Sequence, residues 1–591
     1  MIYHIFIIMI YRAKVEGEGL AIINFDAKGY KVYDDHYNLV GAFAHNGKVY
    51  VNVDKGITYI YFVKDKPDTL PDDKDFLVHD FKVVKYEDCK NAKELQDFDG
   101  TLINGETNTA TYLFTRKEIG PSFYLEVDYT YEGEGDNLIV GFLAESEPDS
   151  KANCNGQLLG GCDKYYAKGS YAVGFNPIYS RKLQTPNSPI KDSIVLVNPD
   201  GNCELLPINI NEVKGRHTLK IVLNYSSLTI SLDRAELPPI YLASNSKPGH
   251  IYVVGNSGIL TSKIRINSLI LYDGKYLGVK EVQQVGFEKV RIKNFKGISE
   301  GSIDLGKVNV IIGANNAGKT SLLEALYLLA SAEQKPAGFN DSIELLAYLH
   351  GIENNAQKSR FLFHFYNTQL PVEIEGGKRV VKITYDNNII KRVLEGDKEV
   401  TKGEQRSLFI NSLLLRKYIS YIENNWETIS NMTDVIKEVI SDINEVNNEE
   451  YIPTITFEPF GGQNTFYLMR SDGKRVRLFD LGEGLQIFLT VRLLYEFLKP
   501  GLILWDDIES HLNPKLLGRI IAWFDDIPGQ IVVTTHNLDV AEDIVETLGA
   551  RCLAVDIKSG GKLIIREIED LSKYLELGLD PRVIVRGETV G

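Results

Sequence analysis

The chain has 591 residues and a mass of 66.5 kDa, of which 44% are hydrophobic, 25% charged and 10% aromatic. That is room for about four domains at roughly 150 residues each, and it excludes both a disordered chain and a single small module. With 65 Lys plus Arg against 80 Asp plus Glu, the net charge is -15, and the basic bias of a constitutive nucleic-acid binder is missing.

The opening run MIYHIFIIMIY is interrupted by His4 and closed by Arg12, short of the roughly 20 residues that cross a bilayer, so it is expected to form a buried first strand. Neither a membrane span nor a signal peptide is expected, and the expected compartment is the cytoplasm. Cys89, Cys154, Cys162, Cys203 and Cys552 lack C-x-x-C spacing, which argues against a zinc site or a disulfide framework. Cys154 and Cys162 are placed to bridge a loop. Asn46-Gly47 separates GAFAH from KVYVNV as a two-residue hairpin turn does, and residues 1–75 read as a small all-β unit. Its end, KDKPDTLPDDKD at 64–75, is too rich in proline and charge to hold a ladder and reads as a linker.

Residues 80–278 continue the β texture with FYLEVDYTY, NLIVGFLAE, YAVGFNP, HTLKIVLNY and INSLILYDG, the spacing of a two-sheet sandwich. In the order of these strands, with FDG at 98–100 near the start, the segment resembles the concanavalin A-like lectin and glucanase jelly rolls. That resemblance implies a recognition domain for a protein or glycan partner. Glu126 and Asp128 fall at i and i+2 and so share one strand face; a solvated acidic pair is the expectation, and a lectin-like calcium site the sharper alternative. Tyr165, Tyr166, Tyr171 and Phe175 are expected to fill the sandwich core, the alternative being to stack on sugar rings.

After Val279 strands alternate with amphipathic helices, so residues 284–580 are expected to be an α/β domain with a largely parallel sheet. Apolar residues recur at helical spacing in SLFINSLLLRKYISYI and TDVIKEVISDIN, and residues 401–447 read as a helical insertion. The domain opens with KVNVIIGANNAGKTSLLEAL. Gly313, Ala314, Asn315, Asn316, Ala317, Gly318, Lys319, Thr320 and Ser321 form G-x-x-x-x-G-K-[ST] between a strand and a helix. Such a loop wraps phosphates with backbone N–H groups, while Lys319 reaches the β- and γ-phosphates of ATP and Thr320 ligates Mg²⁺. Farther on, GLILWDDIESH delivers Asp506 and Asp507 at the end of an apolar strand. Asp506 is expected to hold the metal, and Asp507 or Glu509 to polarise the attacking water. A third strand, QIVVTT, ends at His536, which is placed to reach a γ-phosphate or its nucleophile.

Between these motifs, Leu481, Gly482, Glu483, Gly484 and Leu485 form a Gly-rich turn that opens a long helix, an anion-binding arrangement. In this order the motifs resemble an ABC-type ATPase head of the SMC, RecF and OLD branch, and most closely the AAA-family ATPases related to OLD nucleases, over about residues 284–570. The resemblance implies ATP and Mg²⁺ as cofactors and an ATP-dependent homodimer in which the signature turn of one subunit completes the site of the other. Two departures bear on it. The usual L-S-G-G-Q reads Leu-Gly-Glu-Gly-Leu here, without the Ser hydroxyl and with Glu483 bringing negative charge toward a γ-phosphate. The usual Asp-Glu is Asp506-Asp507, which retracts the base by roughly 1.5 Å and implies slow hydrolysis. The glutamine loop has one candidate, Gln369, which reads as a surface residue. The basic run Arg470, Lys474, Arg475 and Arg477 reads as a solvated hairpin, the alternative being contact with phosphates. Work on nucleic acid, in repair or antiviral defence, is the alternative function, and a nucleotide-locked structural or adaptor role a third. The acidic balance, and the roughly 55 residues left after the last motif, speak against the nucleic-acid reading.

Overall fold

A computed structural model describes residues 10–35, 38–64, 81–87, 91–133, 137–148, 169–176, 193–199, 203–206, 214–242, 247–257, 261–284, 286–332, 334–352, 358–386, 389–395, 406–446 and 450–586. The opening run up to residue 9, most of the 64–75 linker, Cys89, Cys154, Cys162, Tyr165 and Tyr166 lie outside the described residues.

Two four-stranded sheets make the small N-terminal unit. One is ordered Gln283–Gln284, Ile10–Lys14, Tyr59–Lys64, Tyr30–Tyr33; the other Tyr276–Glu281, Gly19–Asn24, Lys48–Val53, Ala42–His45. Alternate residues such as Ala13, Ala21, Ile23, Val49, Val51, Ile60 and Phe62 point inward and form one core. Asn46 and Gly47 both take positive φ (49° and 72°), the left-handed pair that a tight hairpin turn demands, and His45 pairs with Lys48 across it. Tyr276–Glu281 runs parallel to Gly19–Asn24. The unit is therefore completed by chain from beyond the sandwich, and residue 278 falls inside one of its strands.

The sandwich consists of an eight-stranded and a seven-stranded sheet. The central strand Ser122–Gly133 pairs with Gly215–Asn224 on one side and Ser262–Asp273 on the other. Phe123, Leu125 and Val127 share a core with Val140, Phe142 and Val173 of the facing sheet. Phe175 is buried there against Tyr129, ring centroids 5.3 Å apart, and Tyr171 stacks on Phe142 at 5.7 Å. Gly141 has to be glycine, because a Cβ there would lie 1.9 Å from the Tyr252 ring.

The expected solvated face at Glu126 and Asp128 is not present, since each residue is only 5% exposed. The small unit covers this side of the sheet, with Leu20, Ile22 and Tyr50 packed on Tyr124 and Ile270. Glu126 accepts from the Tyr124 and Tyr50 hydroxyls and lies 3.8 Å from Lys220 Nζ. Burial, with the Glu126 charge behind it, pushes both phenols far above their ordinary pKa. Asp128 accepts from Arg216 Nη2 (2.7 Å) and Asn267 Nδ2 (2.9 Å). Both carboxylates are thus taken up by protein donors, which compensates their burial.

The C-terminal domain is built on a six-stranded sheet ordered Ser407–Ile410, Leu502–Trp505, Gln530–Thr535, Val308–Ile312, Arg551–Ile557, Leu563–Ile568, parallel except for the last strand. SLFI is therefore a core strand and not the start of the helical insertion. All four of its residues are buried, and a short apolar run covered on both faces carries no period to tell strand from helix. The insertion proper is helical over Leu415–Asn424, Trp426–Ile429 and Thr433–Val446, burying Tyr418, Ile419, Ile422, Ile436, Val439, Ile440 and Ile443. A separate antiparallel sheet is ordered Ile298–Asp304, Lys289–Phe295, Val372–Gly376, Arg379–Asp386, Ile389–Glu395. In a three-stranded sheet over residues 451–477, the basic run is matched by acids: Arg470 and Lys474 to Asp472, Arg475 to Glu458, Arg477 to Asp480. Among the described residues no helix is long and apolar enough to cross a membrane.

One buried cation joins the N-terminal unit to this domain. Arg12 is 1% exposed, sits 4.2 Å over the Tyr59 ring, and donates from Nη1 to the carbonyl of Lys499. Lys499, at φ 44°, is the left-handed residue that closes helix Glu483–Leu498, so the guanidinium meets the negative end of that helix. A hydrogen bond from a charged donor to a buried carbonyl contributes about 1.5–3 kcal/mol. Arg12→Ala should therefore speed amide hydrogen exchange in the turn at residues 498–501 by about 10-fold or more. Unchanged exchange there would mean that the contact does not hold the helix end.

Candidate nucleotide-binding site

The strand registers bring the motifs together. Ile312 is level with Thr535 and Ile410 with Trp505, so these four parallel strands end along one edge of the sheet, where α/β folds bind ligands, while the fifth, Arg551–Ile557, runs on past Ala554. The chain after Ile312 needs unusual backbone: Asn316 is at φ 63° and Gly318 at φ 89°. At Gly313 a Cβ would stand 2.7 Å from the Val555 carbonyl. Helix Lys319–Ser331 follows with no side-chain cap at Gly318, leaving its first N–H groups facing a cavity of about 430 Å³. Asn315 to Ser321, His536, Gly297 and Ile557 line it.

Lys319 Nζ donates to the carbonyls of Gly313 (3.0 Å) and Ala314 (3.3 Å) and lies 3.3 Å from His536 Nδ1. Burial draws its pKa below the ordinary lysine value, and the charges of Asp507, Asp506 and Glu509 oppose that. Thr320 Oγ1 donates to Asp506, 3.0 and 3.2 Å from its two oxygens, tying the phosphate loop to the strand Leu502–Trp505. Asp506 also accepts from Thr534 Oγ1 at 2.9 Å and Asn411 Nδ2 at 3.3 Å. Burial pushes its carboxyl above the usual range despite these bonds. Asp507, at φ 49°, is fixed through its N–H to Thr534 Oγ1 (2.8 Å), and its Oδ1 lies 3.4 Å from His536 Nε2. Glu509 Oε1 accepts the His536 N–H at 2.8 Å.

The structure thus gathers Lys319, Thr320, Asp506, Asp507, Glu509 and His536 at one sheet edge. The turn at Gly482, Glu483 and Gly484 does not line the cavity. Gly482 caps helix Glu483–Leu498, Glu483 lies 3.1 Å from His511 Nδ1, and a Cβ at Gly484 would meet the His511 carbonyl at 2.5 Å. Gln369 is exposed on a loop, and its N–H bonds to Asn367. Three features of the site escape motif reading. Asn411 owes its place to the unrecognised strand SLFI. Arg582, far down the chain, donates to the His536 carbonyl at 3.1 Å. Beneath the phosphate-loop helix, the fully buried Glu324 accepts from Lys296 and lies 2.7 Å from His350 Nε2. Burial alone would raise the Glu324 carboxyl, but the two partners outweigh it and hold it below the ordinary value.

Residues 287–411 match the family described as "AAA ATPase domain", and residues 401–541 the family described as "AAA domain, putative AbiEii toxin, Type IV TA system". The two matches overlap and together span residues 287–541, the part of the chain that carries most of the parallel sheet. The chain is similar to an ATP/GTP phosphatase of Helicobacter pylori, 33% identical over 102 residues, which are 17% of this chain and 25% of that protein. It is also similar to the DNA replication and repair protein RecF of Streptococcus thermophilus, 32% identical over 101 residues, 17% of this chain and 26% of that protein. The chain thus spans about a quarter of the length of these curated relatives. Among solved structures, the SMC head domain from Thermotoga maritima aligns at 14% identity and a TM-score of 0.31, over 48% of this chain and 99% of that one.

Lys319 is a cation fixed against the loop carbonyls of Gly313 and Ala314, and a charge-assisted contact is worth about twice a neutral one. Lys319→Ala should weaken ATP binding by about 10- to 100-fold in titration calorimetry. Unchanged affinity would remove this cavity as the nucleotide site.

Proposed function

We propose that the protein is a Mg²⁺-dependent ATPase whose head pairs on ATP and is coupled to a β-sandwich that recognises a protein or glycan. The observation that supports the nucleotide part is the contact of Thr320 Oγ1 with Asp506, a pairing of loop hydroxyl and strand-end carboxylate of the kind that holds Mg²⁺–ATP. The donor set fits the ion. Thr320 and Asp506 offer hard oxygens, and Asp506 is a buried carboxylate raised by desolvation, which a divalent cation would relieve. Glu509 Oε2 is a buried oxygen without a hydrogen-bond partner among the described residues, and Asp507 Oδ1 faces His536 Nε2 beside the same cavity, which supports a role for the two carboxylates in holding the attacking water. Bound Mg²⁺ would supply charge neutralisation between the β- and γ-phosphates.

The coupling rests on Arg12, whose contact with the Lys499 carbonyl ties the N-terminal unit to the far end of the signature helix. Head pairing then joins the turn at Gly482 to Gly484 of one copy to the phosphate loop of another. Glu483 is paired with His511 in the single chain, so pairing has to accommodate a carboxylate beside the γ-phosphate, and the dimer is expected to be transient. A concanavalin-like jelly roll remains our reading of the sandwich, and a cytoplasmic location our reading of the whole. One observation favours a nucleic-acid role instead: the similar RecF is a DNA replication and repair protein. DNA binding that weakens steeply with salt would support that second reading and count against the first.

Two experiments test the proposal. Asp507→Asn with Mg²⁺ and ATP should give a dimer by light scattering at tens of micromolar, roughly the range of weak interfaces; a persistently monomeric mass sinks the pairing. Asp506→Asn should abolish Mg²⁺-dependent turnover, whereas Asp507→Glu should raise it by restoring the missing methylene. A slower Asp507→Glu protein would transfer the role of base to Glu509.

A further inference from the structure

We infer that Arg582 is a positioning residue for ATP hydrolysis, acting through His536; this rests on the ATPase reading above. Arg582 stands in the segment Pro581–Arg586, past the end of both matched families at residues 411 and 541. Asp580 holds its guanidinium as a fork: Nε donates to Oδ1 at 2.8 Å and Nη2 to Oδ2 at 2.7 Å, while the Arg582 N–H bonds Oδ1 at 2.9 Å. That leaves Nη1 aimed at the His536 carbonyl, 3.1 Å away.

The other side of the same residue is held by Glu509, which accepts the His536 N–H. The backbone of His536 is therefore clamped from both ends, and its ring stands between Lys319 and Asp507, 3.3 Å from Nζ and 3.4 Å from Oδ1. An ammonium only donates, so the ring nitrogen facing Lys319, Nδ1, has to accept, which puts the ring proton on Nε2, toward Asp507. A ring so held is positioned toward the γ-phosphate and its attacking water, and a misplacement of about 1 Å from a remote change can cost about 100-fold in activity. Lysine cannot replace Arg582, because a point-charge ammonium has no planar fork to satisfy Asp580 and the carbonyl together.

The test uses the full chain. Arg582→Ala should lower kcat for ATP by about 10- to 100-fold while KM for ATP moves by less than about 3-fold, since the phosphate loop is untouched. Arg582→Lys should stay impaired, and Asp580→Ala combined with Arg582→Ala should lose no more than Arg582→Ala alone. Unchanged kcat, full rescue by lysine, or a raised KM at constant kcat would each overturn the inference, the last by making Arg582 a direct nucleotide contact. Ring ¹⁵N signals of His536, measured in the wild type and in Arg582→Lys, read the positioning without turnover. They should shift on substitution, and an unmoved signal overturns the inference even if the wild type proves not to hydrolyse ATP, an outcome that would instead sink the ATPase reading.

Discussion

A carboxylate at the dry end of a core strand organises the head. Asp506 is only 5% exposed, and its two oxygens gather Thr320 from the phosphate loop, Thr534 from the neighbouring strand and Asn411 from the edge strand. Leaving a buried carboxylate unsatisfied is costly, so each donor has to arrive at the same place. They can do so because the strands that lead to them run parallel and end along one edge of the sheet. The sheet geometry and the site chemistry are therefore one constraint.

The parts of this arrangement legible in the sequence are those where the backbone itself is unusual. Gly313 and Gly318 cannot carry a side chain, and a strand that ends in two carboxylates announces its edge. What escaped reading depends on partners distant in the chain. SLFI is buried on both faces and carries no period, so Asn411 at its end was invisible too. The face shared by Glu126 and Asp128 followed from strand alternation, but whether anything covers that face depends on the strands Gly19–Asn24, Ala42–His45 and Lys48–Val53 folding back over it, which alternation does not encode. Arg582 has no motif around it; an Asp two residues before an Arg is ordinary sequence until the fold places the pair beside His536.

The phosphate loop is supported from below as well as from its rim. Glu324 lies one and a half turns into the helix that begins at Lys319 and is fully buried, yet Lys296 and His350 keep it charged. Removing either partner of such a pair strands a charge in the interior, so the trio ties the hairpin at 289–304 to the loop helix more strictly than apolar packing alone. Gly297, next to Lys296, lines the cavity at the start of the loop helix, which brings this tie to the cavity wall.

The strand Tyr276–Glu281 gives the sandwich an unusual attachment. Because it pairs with Gly19–Asn24, the chain leaves the small unit before the sandwich and returns to that unit after it. Both ends of the sandwich are consequently anchored to one small platform, and such a module can be lifted out and replaced as a cassette without rerouting the polypeptide elsewhere. The platform, with Arg12 buried against the head, would stay in place while the module mounted on it changed.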